Sequence, residues 1–263
     1  MKTILITGVS SGFGRAIAER LSANGHKVIG TVRKPLAERV TFETITLDVT
    51  QSDSIKSGIE TILRENKHID VLINNAGFGL TGEMELTSPA DRKKIFDTNL
   101  FGYMDMIDAV LPSMRETKRG LIINIASLAG IFAIPYQGFY ATTKFAVNGY
   151  SESLRYELKD SGVNVVVVNP GDYKTGFTGN RILTPIHTEY QERFDTVVKA
   201  IEKDETKGLN PSHCARLIEK IILKKNPNYR YIAGNLEHKA SVLLSKILPQ
   251  RIFSKIIASH YHM

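Results

Sequence analysis

The chain has 263 residues, of which 42% are hydrophobic and 23% are charged, a balance typical of a soluble globular protein and not of a disordered one. Its length fits one large α/β domain better than two small ones. The single cysteine, Cys214, excludes an intramolecular disulfide framework and a zinc site built on several cysteines.

The net charge of +7 indicates affinity for anions, which leaves nucleic acid, an anionic membrane surface and a phosphorylated cofactor open as partners. No dense basic tract is interleaved with aromatic residues, so we expect no nucleic-acid partner. The apolar run at the N-terminus is too short for a signal peptide, and no run is long enough to span a membrane. We therefore expect a cytoplasmic protein, and we assign no metal ligands.

A short apolar strand, a glycine-rich turn and an amphipathic helix open the chain. The strand is predicted over Thr3–Ile6, the turn reads TGVSSGFG at positions 7–14, and the helix ends near Asn24. Glycines at such a turn let the backbone approach a pyrophosphate, and the helix N-terminus supplies N–H donors. The alternative is that these glycines serve packing alone. We favour a dinucleotide site that includes Gly8, Ser10, Ser11, Gly12, Phe13 and Gly14.

The end of the second predicted strand, Lys27–Val32, bears on the choice of cofactor. It leads into Arg33 and Lys34, with no acidic residue before Glu38. An acid at this place accepts a hydrogen bond from the ribose of NAD, whereas an arginine accommodates the 2′-phosphate of NADP. We therefore predict NADP(H) over NAD(H), with Arg33 the main phosphate partner and Ser11 and Lys34 as helpers. The alternative is that two solvated charges end a strand.

The rest of the chain alternates apolar strands with helical patterns. Strands are predicted at 45–47, 70–73, 121–126, 163–168 and 229–232, and helices at 52–64, from Pro89, at 139–148 and at 212–223. Ser52 is the candidate N-cap of the first of these helices, and Asp48 and Val49 follow the third strand, where the adenine would arrive. This alternation predicts an α/β fold, a Rossmann-type doubly wound parallel sheet of about seven strands with helices on both faces.

Tyr140 and Lys144 lie four residues apart in a predicted helix, so their side chains share one face. A phenol has a reference pKa of about 10, and a nearby ammonium stabilises the phenolate and lowers that pKa toward neutrality. The spacing alone also fits an ordinary amphipathic helix. Ser127 ends the fifth strand, at the edge where an open α/β sheet places its chemistry.

Two segments stand apart from the alternating pattern. Residues 172–210 are polar and poorly periodic except around 190–201, and we predict a lid over the substrate. Residues 237–263 carry apolar residues at near-helical spacing, with basic residues between them and a kink at Pro249. This tail is predicted to be an amphipathic helical extension of a catalytic domain that spans residues 1–236. It packs on the domain or a partner subunit, or, less favoured, it lies on an anionic membrane.

Taken together, the motifs resemble the short-chain dehydrogenase/reductase family, in its short, non-extended branch. They comprise TGxxxGxG at 7–14, NNAG at 74–77, Asn99, Ser127, YxxxK at 140–144, the Pro-Gly pair at 170–171 and Thr175. The resemblance covers residues 2–234. The glycine turn and Arg33 are similar to those of NADP-preferring members of the 17β-hydroxysteroid dehydrogenase-like and retinol dehydrogenase-like kind.

The resemblance implies roles for the catalytic residues. Tyr140 would be the general acid in ketone reduction and the base in the reverse reaction, and Lys144 would lower its pKa and hold the nicotinamide ribose. Ser127 would bind the substrate oxygen, and Asn99 would anchor a water in a proton relay. The cofactor would also be contacted by Asn75, Ala76, Gly77, Pro170, Gly171 and Thr175.

The implied activity is interconversion of a hydroxyl and a carbonyl by hydride transfer. The residues expected to line the pocket are mostly apolar and favour a hydrophobic alcohol or ketone; they are Leu128, Ile134, Tyr136, Phe139 and Phe177, with parts of 180–200. The alternatives are a cofactor-binding regulator or scaffold with a vestigial site, and an epimerase of the extended branch, which needs a larger C-terminal domain. By analogy with the family, we expect a homodimer, or a tetramer, built on helices that include 100–115 and 140–158.

Overall fold

The computed structural model describes residues 1–263, apart from the side chain of Thr178. Seven parallel strands form one sheet in the order β3-β2-β1-β4-β6-β7-β9. Their bounds are β1 Thr3–Thr7, β2 Lys27–Val32, β3 Glu43–Thr46, β4 Val71–Asn74, β6 Gly120–Ile125, β7 Val163–Pro170 and β9 Arg230–Ala233. The predicted fold class is confirmed, and the order reverses between β1 and β4, where such sheets bind ligands.

Helices cover both faces of the sheet. Their bounds are α1 Gly12–Ala23, α2 Ser52–Asn66, α3 Pro89–Phe96, α4 Gly102–Glu116, α5 Gly138–Glu157, α6 Gln191–Lys207, α7 Pro211–Leu223, α8 Leu236–Ile247 and α9 Gln250–His260. Alternate residues of β1 illustrate the two layers: Ile4 and Ile6 pack with α1 and α7, whereas Leu5 packs with α2 and α4. Strands buried on both faces explain the continuous apolar runs in the sequence.

Several predicted elements differ in detail from the structure. Ser52 is the first residue of α2 and not its N-cap; Gln51 holds that position, and its side chain makes no capping bond within the described chain. The helical pattern after Pro89 is divided, because a π-helical turn, Asp97–Phe101, separates α3 from α4. Turns of this kind interrupt the regular hydrogen-bond ladder and often lie at functional sites.

The segment predicted as a lid has more regular structure than its composition suggested. Its second half is mainly the helix α6, and its first half contains β8, Ile182–Leu183, which pairs in parallel with β5, Leu80–Thr81. The amide of Ile182 donates to Gly79 O at 2.9 Å, and that of Thr184 donates to Thr81 O at 3.0 Å. A two-stranded ladder therefore ties this segment to the loop after β4.

The helices of the C-terminal extension pack on the domain along one side. Phe253 of α9 contacts Phe132 edge to face, with ring centroids 5.3 Å apart. Tyr261, directly after α9, is buried with Val197 and Ile201 of α6. Among the described residues, no helix is both long enough and apolar enough to cross a membrane.

Candidate active site

One cleft of about 660 Å³ runs along the carboxyl edge of the sheet. The strand ends bring the glycine-rich turn, the NNAG segment, Ser127 and the residues after β7 to this edge. Most predicted cofactor residues line it: Gly8, Ser10, Ser11, Gly12, Phe13, Arg33, Asp48, Val49, Asn75, Ala76, Gly77, Tyr140, Lys144, Pro170, Gly171 and Thr175. The sheet thus assembles in space what the sequence distributes over some 170 residues.

The glycine-rich turn is held in a conformation that leaves its backbone open to the cleft. Gly8 has φ +73°, and a Cβ there would lie 2.9 Å from Ala76 Cα, so a side chain is excluded. Gly12 has φ +59° at the start of α1. Positive φ favours glycine, and backbone N–H groups at a helix start form an anion site. The turn therefore fits a pyrophosphate.

Gly14, predicted as a cofactor residue, does not line the cleft. A Cβ on Gly14 would lie 2.2 Å from Gly8 O and 2.6 Å from Asn75 Nδ2. This glycine lets the first turn of α1 pack against the turn that precedes it. Its role is therefore packing, which was the alternative to cofactor binding for the glycines of this turn.

Thr7 and Asn75 fasten the turn to the end of β4. The Thr7 hydroxyl accepts from the amides of Asn75 and Ala76 at 2.9 and 3.0 Å. In return, Asn75 Nδ2 donates to the carbonyls of Thr7 and Gly8. Thr7 has no place among the predicted site residues, although a hydroxyl as the last residue of a buried strand was a signal for one.

Arg33 follows β2 at the wall of the cleft, exposed and without an ion-pair partner among the described side chains. The nearest acid in sequence, Glu38, pairs instead with Arg15 at 3.0 Å. The Asp48 carboxylate accepts from both the amide and the hydroxyl of Thr50. Lys34, a predicted helper, does not line the cleft. An unpaired guanidinium at this place fits a phosphate, which such a group binds through several N–H donors.

Tyr140, Ser127 and Lys144 meet at the middle of the cleft. Tyr140 and Ser127 both line the cleft, close enough for the serine hydroxyl to act on the pKa of the phenol, and the Ser127 Oγ accepts from the Ala129 amide at 3.1 Å. Lys144 Nζ lies 5.8 Å from the Tyr140 ring centroid and donates to Ile125 O at 3.0 Å. The structure therefore brings the predicted serine, tyrosine and lysine together on the cleft wall.

The pKa of Tyr140 differs from the sequence-based expectation. Burial raises the pKa of this phenol to about 12, while the hydrogen bond from Ser127 acts in the opposite direction. Burial also lowers the pKa of the Lys144 ammonium to about 7. Both side chains lie in the same poorly solvated crevice, which disfavours the charged form of each. The expected lowering of the Tyr140 pKa by Lys144 is therefore not seen in this structure.

Asn99 is fully buried and does not line the cleft. Its Oδ1 accepts from the Phe78 amide at 3.1 Å, and its Nδ2 donates to Phe78 O at 2.9 Å. The expected water-anchoring role is not visible in these bonds. What the side chain does is fix the backbone at Phe78, a residue of the cleft wall, from within the π-helical turn.

Buried amides fasten α5, and with it the tyrosine and lysine, to the sheet. Asn148 Nδ2 donates to Asn169 Oδ1 on β7 at 3.0 Å and to Lys144 O at 3.0 Å. On the neighbouring strands, Asn124 binds Asn74 and Ser151. Buried polar groups need partners, and these groups find them between the helix and the strand ends, so α5 is held in one register.

The substrate end of the cleft is only partly as predicted. Ile134 and Phe177 line it, and Phe177 lies 5.5 Å from the Tyr140 ring. Leu128, Tyr136 and Phe139 do not: Leu128 is buried, Tyr136 packs on Phe194, and Phe139 lies beneath Arg92. Asn180 and Ile182, from the predicted range 180–200, also line it. Residues without a predicted place in the pocket complete the wall, namely Gln137, Ile201, Glu205 and Tyr261.

The C-terminal extension also contributes to this wall. Tyr261 lines the cleft, and His238 Nε2 lies 2.9 Å from the carboxylate of Asp172, another lining residue. A Cβ on Gly171 would lie 2.5 Å from the His238 ring, so glycine is required for this contact. The short capping pattern of Asn235 and His238 at the start of α8 was the one sequence signal for this arrangement.

The chain belongs to the short-chain dehydrogenase family, whose model matches residues 2–184. It is therefore an oxidoreductase of that family. Among curated relatives, it is 45% identical over 236 residues to a 3-ketodihydrosphingosine reductase of Bacteroides thetaiotaomicron, covering 89% of this chain and 88% of the relative.

Two solved structures are similar in fold over most of the chain. A short-chain dehydrogenase of Streptomyces avermitilis has a TM-score of 0.84 and 30% identity, covering 97% of this chain and 98% of that one. ElxO with NADP bound has a TM-score of 0.73 and 25% identity, covering 89% of this chain and 97% of that one. The coverage of the first structure extends beyond residues 2–184, so the similarity in fold includes part of the C-terminal region.

Proposed function

We propose that the protein is an NADP(H)-dependent oxidoreductase that interconverts a hydroxyl and a carbonyl on a hydrophobic substrate, with Tyr140 as its acid and base. The observation that carries this proposal is that Tyr140, Ser127 and Lys144 line the same cleft as the glycine-rich turn. The two hydroxyls can converge on one substrate oxygen, where negative charge develops during reduction. Lys144 lies one helical turn from Tyr140, near enough to interact with a phenolate.

The cofactor end of the cleft supports NADP(H). The N–H groups at the start of α1 would hold the pyrophosphate, Arg33 the 2′-phosphate and Lys144 the nicotinamide ribose. When bound, the cofactor supplies or accepts the hydride. The ElxO structure, described as having NADP bound, supports this assignment by its likeness in fold.

At neutral pH, Tyr140 is in the protonated form with which carbonyl reduction begins. A phenol with a pKa of about 12 is protonated and can donate its proton to the oxygen that hydride transfer leaves negative. In the reverse reaction the phenol oxygen takes the proton back. We therefore propose to assay the reaction in the direction of ketone reduction.

For the substrate, we propose a long-chain amino ketone of the kind that the Bacteroides relative is named for. An aliphatic chain fits the apolar wall of Ile134, Phe177 and Ile201. An ammonium group beside the ketone would meet the carboxylate of Asp172, which lines the cleft and is also bound by His238; the other acid of the cleft, Glu205, is already paired with Arg181 at 2.7 Å. The amine distinguishes this substrate from a simple fatty ketone.

The test is reduction of 3-ketodihydrosphingosine, followed by the absorbance of NADPH, for the wild type and Tyr140→Phe. We expect turnover to fall by at least 10³-fold, a magnitude typical of a lost general acid together with its hydrogen bond, while the NADPH dissociation constant changes less than threefold. Tyr156→Phe is the matched control, because Tyr156 is an exposed phenol on the same helix.

Retention of turnover in Tyr140→Phe would refute the assigned acid. The substrate assignment has its own comparison, with a long-chain 3-ketone that lacks the amine. Equal kcat/KM for both ketones would refute amine recognition and leave the reaction class intact. Cofactor binding without turnover on either ketone or on a panel of alcohols would favour the regulator or scaffold.

A cytoplasmic location stays a prediction. We also propose a homodimer through α4 and α5. Support for the dimer comes from two exposed aromatic side chains, Phe101 at the start of α4 and Phe145 on α5, which are 49% and 44% exposed. Aromatic residues of this kind are enriched at the centre of interfaces. Light scattering of Phe145→Ser should give the monomer mass; a dimer mass would exclude this interface.

A further inference from the structure

The two helices of the C-terminal extension each leave an apolar stripe uncovered. On α8, Leu236, Leu243 and Ile247 are 83%, 58% and 63% exposed. On α9, Ile252 and Ile256 are 49% and 43% exposed. Within each helix these positions share one face at a spacing of three or four residues or its multiples. Together they form what we call the tail face.

The tail face differs from the apolar side that packs on the domain. Val242 of α8 and Phe253 of α9 are 7% and 3% exposed, and they cover the inner side of the helices. The domain therefore accounts for one apolar side of each helix and leaves the other to water. Single exposed apolar residues are ordinary, whereas a repeated exposed stripe on consecutive helices marks an interaction surface.

Cations flank the tail face on both helices. Lys239 and Lys246 stand beside the stripe on α8, and Arg251 and Lys255 stand beside the stripe on α9; all four are exposed. None has an ion-pair partner among the described side chains. Glu237 is the only acidic residue from 236 to 263, so the local charge is positive.

We propose that the tail face docks on the surface of an anionic phospholipid bilayer. Apolar side chains on one face of a helix, with lysines and arginines beside them, suit insertion at the boundary between headgroups and acyl chains. Exposed unpaired cations near such a membrane are attracted to its lipid phosphates. A second copy of the chain on this face would bring eight like charges together, which argues against self-association here.

The position of the tail face links membrane docking to the substrate end of the cleft. The inner side of α9 supplies Phe253 to the domain core, and Tyr261, directly after α9, lines the substrate end of the cleft. The surface that meets lipid and the wall that meets substrate thus belong to neighbouring parts of one segment. This inference stands on exposure and charge, and it holds whether or not the substrate is a long-chain ketone.

The test is flotation of the full chain with two kinds of vesicle. One kind is phosphatidylcholine alone, and the other contains about 30% of the anionic lipid phosphatidylglycerol. We expect binding to the anionic vesicles only, weakened by 0.5 M salt to a fraction on the order of one tenth or less. Leu243→Ser combined with Ile247→Ser should lower the partition coefficient by at least about tenfold. Leu223→Ser, at a 69% exposed position at the end of α7, should leave it unchanged.

Equal binding to both vesicle types, or full binding of the double variant, would overturn the proposal. So would the absence of vesicle binding by the wild type. A dimer in sedimentation equilibrium that the double variant abolishes would identify a second copy as the occupant instead. Both substitutions place serine at exposed positions, so unchanged thermal unfolding confirms that the fold is intact.

Discussion

Replacement of Lys144 by methionine should abolish turnover and, at the same time, make the cofactor-free protein more stable. Lys144 is 4% exposed, and burial lowers the pKa of its ammonium from the usual 10.5 to about 7. A tenfold change in a protonation equilibrium corresponds to about 1.4 kcal/mol. The burial of this charge at pH 6 therefore destabilises the fold by at most about 5 kcal/mol.

The stabilising contacts of Lys144 reduce that gain without cancelling it. Its Nζ donates to Ile125 O, a bond of about 1.5–3 kcal/mol for a charged donor. The carbonyl is not orphaned when the lysine is removed, because Tyr103 Oη donates to it as well, at 3.1 Å. We expect Lys144→Met to raise the free energy of unfolding by roughly 2 kcal/mol at pH 6, or about 4–8 °C in Tm.

The stability difference between Lys144→Met and the wild type depends on pH in a defined direction. Between pH 7 and 10.5 the unfolded chain holds the Lys144 proton and the folded chain does not, so wild-type stability rises with pH across this window. The advantage of the variant is therefore full below pH 7 and is lost as the pH approaches 10.5. Urea unfolding at pH 6, 8 and 10 measures the difference in the free energy of unfolding between the variant and the wild type. Lys159→Met, a substitution at an exposed position, is the control. A variant less stable than the wild type at pH 6 would refute the reasoning.

Three further predictions concern the two ends of the cleft. Arg33→Asp should change the ratio of kcat/KM for NADPH to that for NADH by at least about 100-fold in favour of NADH, because roughly 3 kcal/mol of charged hydrogen bonding is lost. Lys34→Asp, the control, should change this ratio less than threefold. Equal effects of the two variants would remove Arg33 as the phosphate partner. Gly8→Ala should weaken NADPH binding in calorimetry and lower the free energy of unfolding by about 1–3 kcal/mol; Gly149→Ala, with open space around its Cβ, should not, and unaltered NADPH affinity in Gly8→Ala would contradict the turn assignment. Tyr261→Ala should raise KM for the ketone and leave KM for NADPH unchanged; the reverse pattern would place Tyr261 at the cofactor end.

The sequence was informative wherever one residue type is dictated by backbone geometry or by chemistry at a strand end. The succession of strands along the chain and the glycine turn followed from local patterns. The places of Ser127, Tyr140 and Lys144 along the chain followed from local patterns as well. Gly14 was misassigned because a glycine needed for packing and one needed for ligand approach look alike in sequence. Asn99 was harder, because a polar residue in a helix does not reveal which backbone its amide binds.

The substrate end could not be predicted because distant parts of the chain build it. Tyr136 was expected in the pocket as part of a mostly apolar lining, but its positive φ of 56° and its packing on Phe194 take it elsewhere. Tyr261 lies far beyond the motifs, and its contact with the cleft depends on how α9 docks. The pKa of Tyr140 likewise depends on burial, which the spacing of two residues does not report.

The ladder between β5 and β8 bears on how a substrate would be bound. Two backbone hydrogen bonds hold the segment around Ile182 against the loop after β4. Much of the conformational entropy of ordering this segment has therefore been lost during folding, and ligand binding need not supply it again. Ile182, which lines the cleft, thus meets a substrate from a backbone that is already ordered.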